Sequence, residues 1–249
     1  MIISPLGRRL ALGGLAAFVV AVPFTLLGLL VLGRWAPLAR LDARVAGDLN
    51  GYALARPRLV GVLDTVAIVF DPWVFRAVVV AVAVWLWSRG ARRLAIWAVV
   101  TMVIGGVLGS SLKVLVARAR PVFDQPVAHA SGYSFTSGHA VNSFLCVGVL
   151  ILVFLPVLSV TGRRLVYALG AAVILLVGFD RVALGVHYVS DVVAGWIVAL
   201  ACLVGTAGAF EVWRREQGRS PANPSEQGVD PEAANEMSDE PQCEGGPRR

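Results

Sequence analysis

The sequence predicts an all-α fold, an integral membrane bundle of six transmembrane helices with an interfacial segment after the first helix. Three observations predict it. The 249 residues are 57% hydrophobic and 15% charged, against about 25% charged in an ordinary soluble domain, and mean hydropathy is +0.73. The apolar residues fall into six long runs. The charged residues gather between those runs, with arginines paired at their ends.

The first run, residues 1–34, carries Arg8 and Arg9 ahead of a long apolar stretch. Its apolar part exceeds the roughly 7–15 residues of a secretory signal and no A-x-A-like site follows, so it reads as a retained first helix. Residues 34–70 mix charge with apolar residues at near-helical spacing, the pattern of a helix lying along the membrane interface. Runs at 72–87, 94–115, 138–158, 165–179 and 189–210 follow as the further crossings of a core of about 30 Å, with 72–87 and 165–179 the short ones. After Arg219 the chain turns to Pro, Glu, Ser, Gln and Gly. Such a stretch cannot bury enough surface to offset its ordering entropy, so 1–213 reads as the membrane domain and 214–249 as a disordered cytoplasmic tail.

Orientation follows from arginine. With six crossings Arg8, Arg9, Arg89, Arg92, Arg93, Arg163, Arg164, Arg214, Arg215 and Arg219 share one side, the cytoplasmic one by the positive-inside rule. Both termini are then cytoplasmic in a multi-pass cell-membrane protein. A net charge of +6 invites a nucleic-acid partner, but arginines paired at the ends of apolar runs serve as membrane anchors, and no nucleic acid is expected. Cys146 and Cys202 lie inside apolar runs and Cys243 in the tail, which gives neither a disulfide framework nor metal-ligand spacing.

Three polar clusters occupy the opposite side. The first is KVLVARARP, with Lys113, the chain's only lysine, and Arg120 and Pro121. Seven residues along a helix place Lys113 and Arg120 on one face about 10 Å apart, where they can close on one anion; equally they can snorkel to lipid headgroups, the reading given to Arg118. The second is SFTSGHAVNSF. Thr136 or Ser137 suits an N-cap, Gly138 admits close approach, and His139 stands in the first turn of a helix whose free N–H groups attract phosphate. The third is FDRVALGVHYVSD. His187 and Asp191, four apart, share a face if the last helix starts a turn early; a carboxylate on one imidazole nitrogen leaves the other free as base or nucleophile. Arg181 can reach the same anion, although Asp191 as a cap and His187 as an interfacial residue would look alike in sequence. His129 has no partner at a useful spacing. Ionisable residues near membrane depth cost a few kcal/mol each unless paired or facing water, so their convergence argues for a site.

Taken in order, K-x6-R-P, S-G-H and R-x5-H-x3-D resemble the type-2 phosphatidic acid phosphatase superfamily, which also takes in haloperoxidases. The resemblance is carried by Lys113, Arg120, Pro121, Ser137, Gly138, His139, Arg181, His187 and Asp191 and covers the six-helix core. It implies a phosphoric ester or diphosphate hydrolase needing no cofactor or metal. In that scheme His187 forms a phosphohistidine, Asp191 orients it, and His139 protonates the leaving oxygen. Lys113, Arg120, Ser137, Gly138 and Arg181 then hold phosphate. The expected substrate is a lipid phosphate (polyprenyl diphosphate, phosphatidic acid or phosphatidylglycerol phosphate) met at the outer face; a composition rich in Ala, Val, Arg and Gly fits a high-GC bacterium. A non-catalytic lipid-phosphate binder on the same fold, or a phosphotransferase to a lipid or sugar acceptor, stands as the alternative. Three positions depart from the pattern: Thr136 replaces proline, Asp180 replaces serine or threonine, and Val189 replaces proline. Asp180 matters most, because an ionised carboxylate repels phosphate unless it turns away to brace Arg181.

Overall fold

A computed structural model describes residues 21–237. The N-terminal part of the predicted first helix, with Arg8 and Arg9, and residues 238–249 with Cys243 lie outside the described residues. Eight main helices follow in order: α1 (Ala21–Leu32), α2 (Ala36–Leu54), α3 (Pro57–Val69), α4 (Pro72–Ser88), α5 (Arg92–Val116), α6 (Gly138–Phe154), α7 (Val160–Ala183) and α8 (Val189–Glu216). A 3-10 turn, Leu155–Val157, closes α6.

Helix starts follow the local chemistry. Proline fixes φ where the first-turn N–H needs no partner, and Pro37, Pro57 and Pro72 each open a helix. Asp71 caps α4 by accepting from the Trp73 N–H at 2.8 Å, and Ser159 caps α7 through the Gly162 N–H at 3.2 Å.

Five helical stretches among the described residues are long and apolar enough to cross a membrane, and α1 with α2 makes a sixth only if that pair, bent by 84°, counts as one span. The predicted interfacial segment therefore divides. The bend turns α2 away from α1, whereas α3 runs on with α4 as one apolar stretch, Pro57–Ser88. The fifth predicted run proves longer than its apolar core, since α7 reaches Ala183 and carries Asp180 and Arg181 in its last turns.

Helix α6 is the centre of the bundle, packed on α4, α5, α7 and α8. Leu86, Leu94, Leu145, Val149 and Val153 are buried among them. In the same interior Thr101 and Thr206 join hydroxyls at 2.9 Å, a small-residue contact of the kind that ties membrane helices together.

The reading of 214–249 as disordered is corrected over 214–237. There α9 (Pro224–Gln227) and α10 (Ala233–Met237) fold back, and Val229, Ala233 and Met237 join the core. A few apolar side chains spaced along a polar stretch suffice, because the bundle end supplies the remaining surface. Arg214 anchors the return: it is 1% exposed and reaches Glu211 at 2.8 Å and Glu232 at 2.5 Å.

Candidate active site

Lys113 and Arg120 come together, but not on one helical face. α5 ends at Val116, Ala117 takes the left-handed conformation (φ 45°), and its N–H closes onto the Lys113 carbonyl. Arg120 thus lies beyond the helix, in a segment that reverses over the end of the bundle. Its guanidinium donates to the carbonyls of Gly132 (3.0 Å), Ser131 (3.0 Å) and Val186 (2.7 Å). Lys113 Nζ donates to the Tyr133 carbonyl at 3.0 Å. Burial holds the Arg120 pKa below the usual guanidinium value against the pull of Asp191.

α6 begins as predicted, with Ser137 as its N-cap accepting from the Ala140 N–H at 3.4 Å. The Ser137 N–H in turn donates to the Asp191 carbonyl at 3.0 Å, which locks the start of α6 against the start of α8. Gly195 permits that approach: a Cβ there would lie 3.0 Å from both the Ser137 oxygen and the Ala140 Cβ. His139, in the first turn, presents Nε2 to Arg181 NH1 at 3.3 Å. A guanidinium can only donate, so His139 Nε2 is the acceptor and the ring is the neutral Nδ1–H tautomer.

Between α7 and α8 the chain reverses through Gly185 (φ 70°), where a Cβ would meet the Phe123 ring at 2.8 Å. The Arg181 carbonyl accepts from the N–H groups of Val186 and His187, each at 3.2 Å. His187 therefore sits in the turn before α8, and its contact with Asp191 needs no early helix start. Its Nδ1 edge faces Ser134 Oγ at 3.4 Å and Asp191 Oδ2 at 3.6 Å, and its Nε2 faces Arg120 NH1 at 3.2 Å. The same donor logic puts the proton on Nδ1 and the lone pair on Nε2. Burial outweighs the nearby Asp191 carboxylate and lowers the His187 pKa to about 4.

Asp191 is fully buried and saturated. Oδ2 accepts from the Tyr188 N–H at 2.9 Å and from the Ser134 hydroxyl, and Oδ1 accepts from Arg118 NH1 at 2.6 Å. Arg118, read in sequence as a headgroup anchor, is corrected to part of this network. Its NH1 also donates to Ser190 Oγ at 2.7 Å, its NH2 donates to Asp42 Oδ2 at 2.8 Å, and Tyr188 lies under it at 4.1 Å. Asp42, on α2, is 1% exposed and also accepts the Ser190 N–H at 3.1 Å. Sequence reading missed Asp42, which no spacing rule links to the motifs, and gave no role to Ser134 and Ser190, which stand inside the second and third clusters. Asp180 resolves its own ambiguity: it accepts from Arg181 Nε at 2.9 Å and from Arg181 NH2, so it braces the arginine.

Lys113, Arg120, Ser137, Gly138, His139, Arg181, His187 and Asp191 thus all lie where α5, α6, α7 and α8 meet at one end of the bundle. Two neutral imidazoles each turn Nε2 towards a pinned guanidinium, and one of them has a saturated carboxylate behind it. That arrangement can hold a tetrahedral anion and offer it a nitrogen lone pair.

The chain is similar in sequence and in fold to known proteins. The chain is 41% identical over 113 residues to phosphatidylglycerophosphatase B of Bacillus subtilis (strain 168), covering 44% of this chain and 54% of that protein. It is 32% identical over 115 residues to the undecaprenyl-diphosphatase of Sulfolobus acidocaldarius, covering 44% and 52%. The aligned part spans about half the length of these relatives. Among solved structures, the transmembrane PAP2-type phosphatidylglycerolphosphate phosphatase from Bacillus subtilis superposes with a TM-score of 0.69 at 24% identity, covering 78% of this chain and 97% of that one; the helical fold is common to both. The PAP2 superfamily model matches residues 94–215, just under half of the chain, and that stretch contains all three polar clusters.

Proposed function

We propose that the protein is an integral-membrane lipid phosphatase that hydrolyses a phosphomonoester or diphosphate lipid through a phosphohistidine on His187, without a metal. The observation that carries this reading is the His187 ring, with Nε2 free of a proton and facing Arg120, and Nδ1 backed by Ser134 and Asp191. The two relatives are named for phosphatidylglycerol phosphate and undecaprenyl diphosphate. Both are lipids with a terminal phosphate, and that class is taken for this chain.

In the first step Nε2 attacks phosphorus and the bond from phosphorus to the lipid oxygen breaks. The leaving oxygen takes a proton from His139. A bound phosphate favours the imidazolium form of His139, because a nearby anion stabilises the charged ring. The His187 ring becomes positively charged as it bonds to phosphorus, and Asp191 stabilises it. In the second step water gives a proton to His139 and attacks phosphorus; the phosphorus–nitrogen bond breaks and inorganic phosphate leaves. Lys113, Arg120 and Arg181 meet the phosphoryl oxygens, with Ser137 and the Gly138 backbone. Arg120 is pinned by three carbonyls and Arg181 by Asp180, so the donors need little reorganisation as charge develops.

Arginine placement supports a site on the extracytoplasmic side with both termini in the cytoplasm. The test is trapping: purified protein in detergent with chelator is mixed with lipid labelled in its terminal phosphate and quenched. Acid-labile, alkali-stable label on the wild type and none on His187→Ala is the expected result. Undiminished turnover by His187→Ala would overturn the reading.

A further inference from the structure

Helix α4 carries one arginine inside its apolar run. Arg76 is half-buried and stands between three helices. Its Nε donates to Asn142 Oδ1 on α6 at 3.0 Å, its guanidinium lies over the Trp73 ring at 4.8 Å, and a terminal nitrogen reaches over Gly106 of α5, 3.9 Å from where a Cβ would stand. Among the described residues its two terminal nitrogens have no protein hydrogen bond. They face a groove of about 520 Å³ between α4 and α5, lined by Val80, Val99, Val103, Gly106 and Ser110 beside Arg76 itself. Guanidinium donors facing hydrocarbon cost a few kcal/mol unless an acceptor meets them.

Two helices lead from this arginine to the candidate phosphate site. On α5, Gly106, Ser110 and Lys113 are spaced i, i+4, i+7 and share a face. Arg76 thus lies over a position about 10 Å along the helix from Lys113. On α6, Asn142 holds Arg76 with its oxygen and donates through Nδ2 to the Gly138 carbonyl at 2.8 Å. Polar groups therefore descend from Lys113 past Ser110 to Arg76, and only below them is the groove wholly apolar.

We infer that the α4/α5 groove holds the glycerol backbone and acyl ester region of a diacylglycerophosphate-type substrate, with Arg76 as the residue that selects it over a polyprenyl diphosphate. The inference rests on the phosphatase reading above. With the terminal phosphate at Lys113, a phosphatidylglycerol phosphate places its phosphodiester and ester carbonyls down this ladder, where the guanidinium finds acceptors. A prenyl diphosphate offers only hydrocarbon at that depth, leaving the same donors unmet.

The experiment compares phosphatidylglycerol phosphate with undecaprenyl diphosphate on full-length wild type, Arg76→Gln and Gly106→Leu in detergent. Arg76→Gln is expected to lower kcat/KM for the diacyl lipid about tenfold more than for the diphosphate, a loss equivalent to about 1.4 kcal/mol. Gly106→Leu fills the groove, keeps the arginine, and is expected to shift the ratio the same way. Equal losses on both lipids, or a larger loss on the diphosphate, would overturn the inference. A second arm removes dependence on catalysis: in a His187→Ala background, native mass spectrometry measures retention of phosphatidylglycerol phosphate and of undecaprenyl diphosphate. Adding Arg76→Gln should weaken only the former, and equal weakening, or none, counts against the inference. Turnover surviving in His187→Ala itself would remove the phosphohistidine reading, while the binding ratio would still decide this one.

Discussion

Arg118 and Asp42, 76 positions apart in the chain, meet at 2.8 Å between the end of α5 and helix α2. The other arm of the same guanidinium holds Asp191 at 2.6 Å, so a helix outside the family-matched region reaches the carboxylate behind His187. Burial alone would lower the Arg118 pKa, but the Asp191 and Asp42 carboxylates raise it. The guanidinium is therefore a fixed charge that sets where Asp191 points.

Arg118 is thus expected to act as a positioning residue. Arg118→Gln should lower kcat by about 10- to 100-fold, the loss usual when a partner behind a first-contact ligand is removed, with KM little changed. It should also reduce stability, because deleting one partner of a buried pair costs about 3–5 kcal/mol. Asp42→Asn leaves the Arg118–Asp191 pair in place and should cost less in both respects. Steady-state kinetics with thermal melts in detergent checks both; a rise in KM at constant kcat would instead make Arg118 a substrate contact.

His187 predicts a pH dependence with a definite sign. The His187 pKa is lowered from 6.5 to about 4 by burial, so the unfolded chain binds the proton more readily between those values. The neutral ring's contribution to stability is present above about 6.5 and lost as pH falls through 4. The His187 ring accordingly stays unprotonated in mildly acid solution. Its ¹⁵N imidazole resonances should titrate with a midpoint near 4, and the acid limb that His187 imposes on kcat/KM should fall there. A midpoint at 6.5 would mean that the ring is solvated.

Most of the bundle was legible because apolar run length reports directly on membrane crossing: 138–158 matches α6 with its 3-10 turn, and 189 is the first residue of α8. That the residues of the candidate site would meet was legible through their order in three motifs. What failed depended on backbone direction. Lys113 and Arg120 look like two turns of one helix, and no signal in KVLVARARP announces that Ala117 turns left-handed. Arg118 was assigned to lipid because its partners, Asp42 and Ser190, are distant in sequence. The tail misled for a different reason, since composition describes what a segment can bury by itself, not against an existing surface.

Gly185 carries both a backbone and a space requirement, at φ 70° and with Phe123 2.8 Å from a would-be Cβ. Gly185→Ala is expected to cost about 1–3 kcal/mol in strain and overpacking. The turn that it disturbs delivers His187, so phosphoenzyme formation should slow while lipid binding in the same sample persists. Gly185→Ala with wild-type trapping kinetics would show that the turn adapts without moving the ring.

At the other end of the bundle, Arg214 gathers Glu211 at 2.8 Å, Glu232 at 2.5 Å and Asp230 at 3.4 Å, and Arg219 adds a second contact to Asp230 at 3.2 Å. Burial raises the Asp230 pKa, helped by Glu232, whereas Asp230 and Arg214 hold Glu232 low against its own desolvation. Arg214→Met would leave three carboxylates together without their main cation, so the loss should approach the 3–5 kcal/mol of a broken buried pair. It should also release the segment that places Val229, Ala233 and Met237 in the core. Glu232→Gln removes only the most exposed of the three acids, 44% exposed against 12% and 6%, and should cost under about 1 kcal/mol. Melting temperature and protease cutting between Arg219 and Met237 read both changes. Arg214→Met melting like wild type, with that segment still protected, would show that apolar contacts alone hold the return.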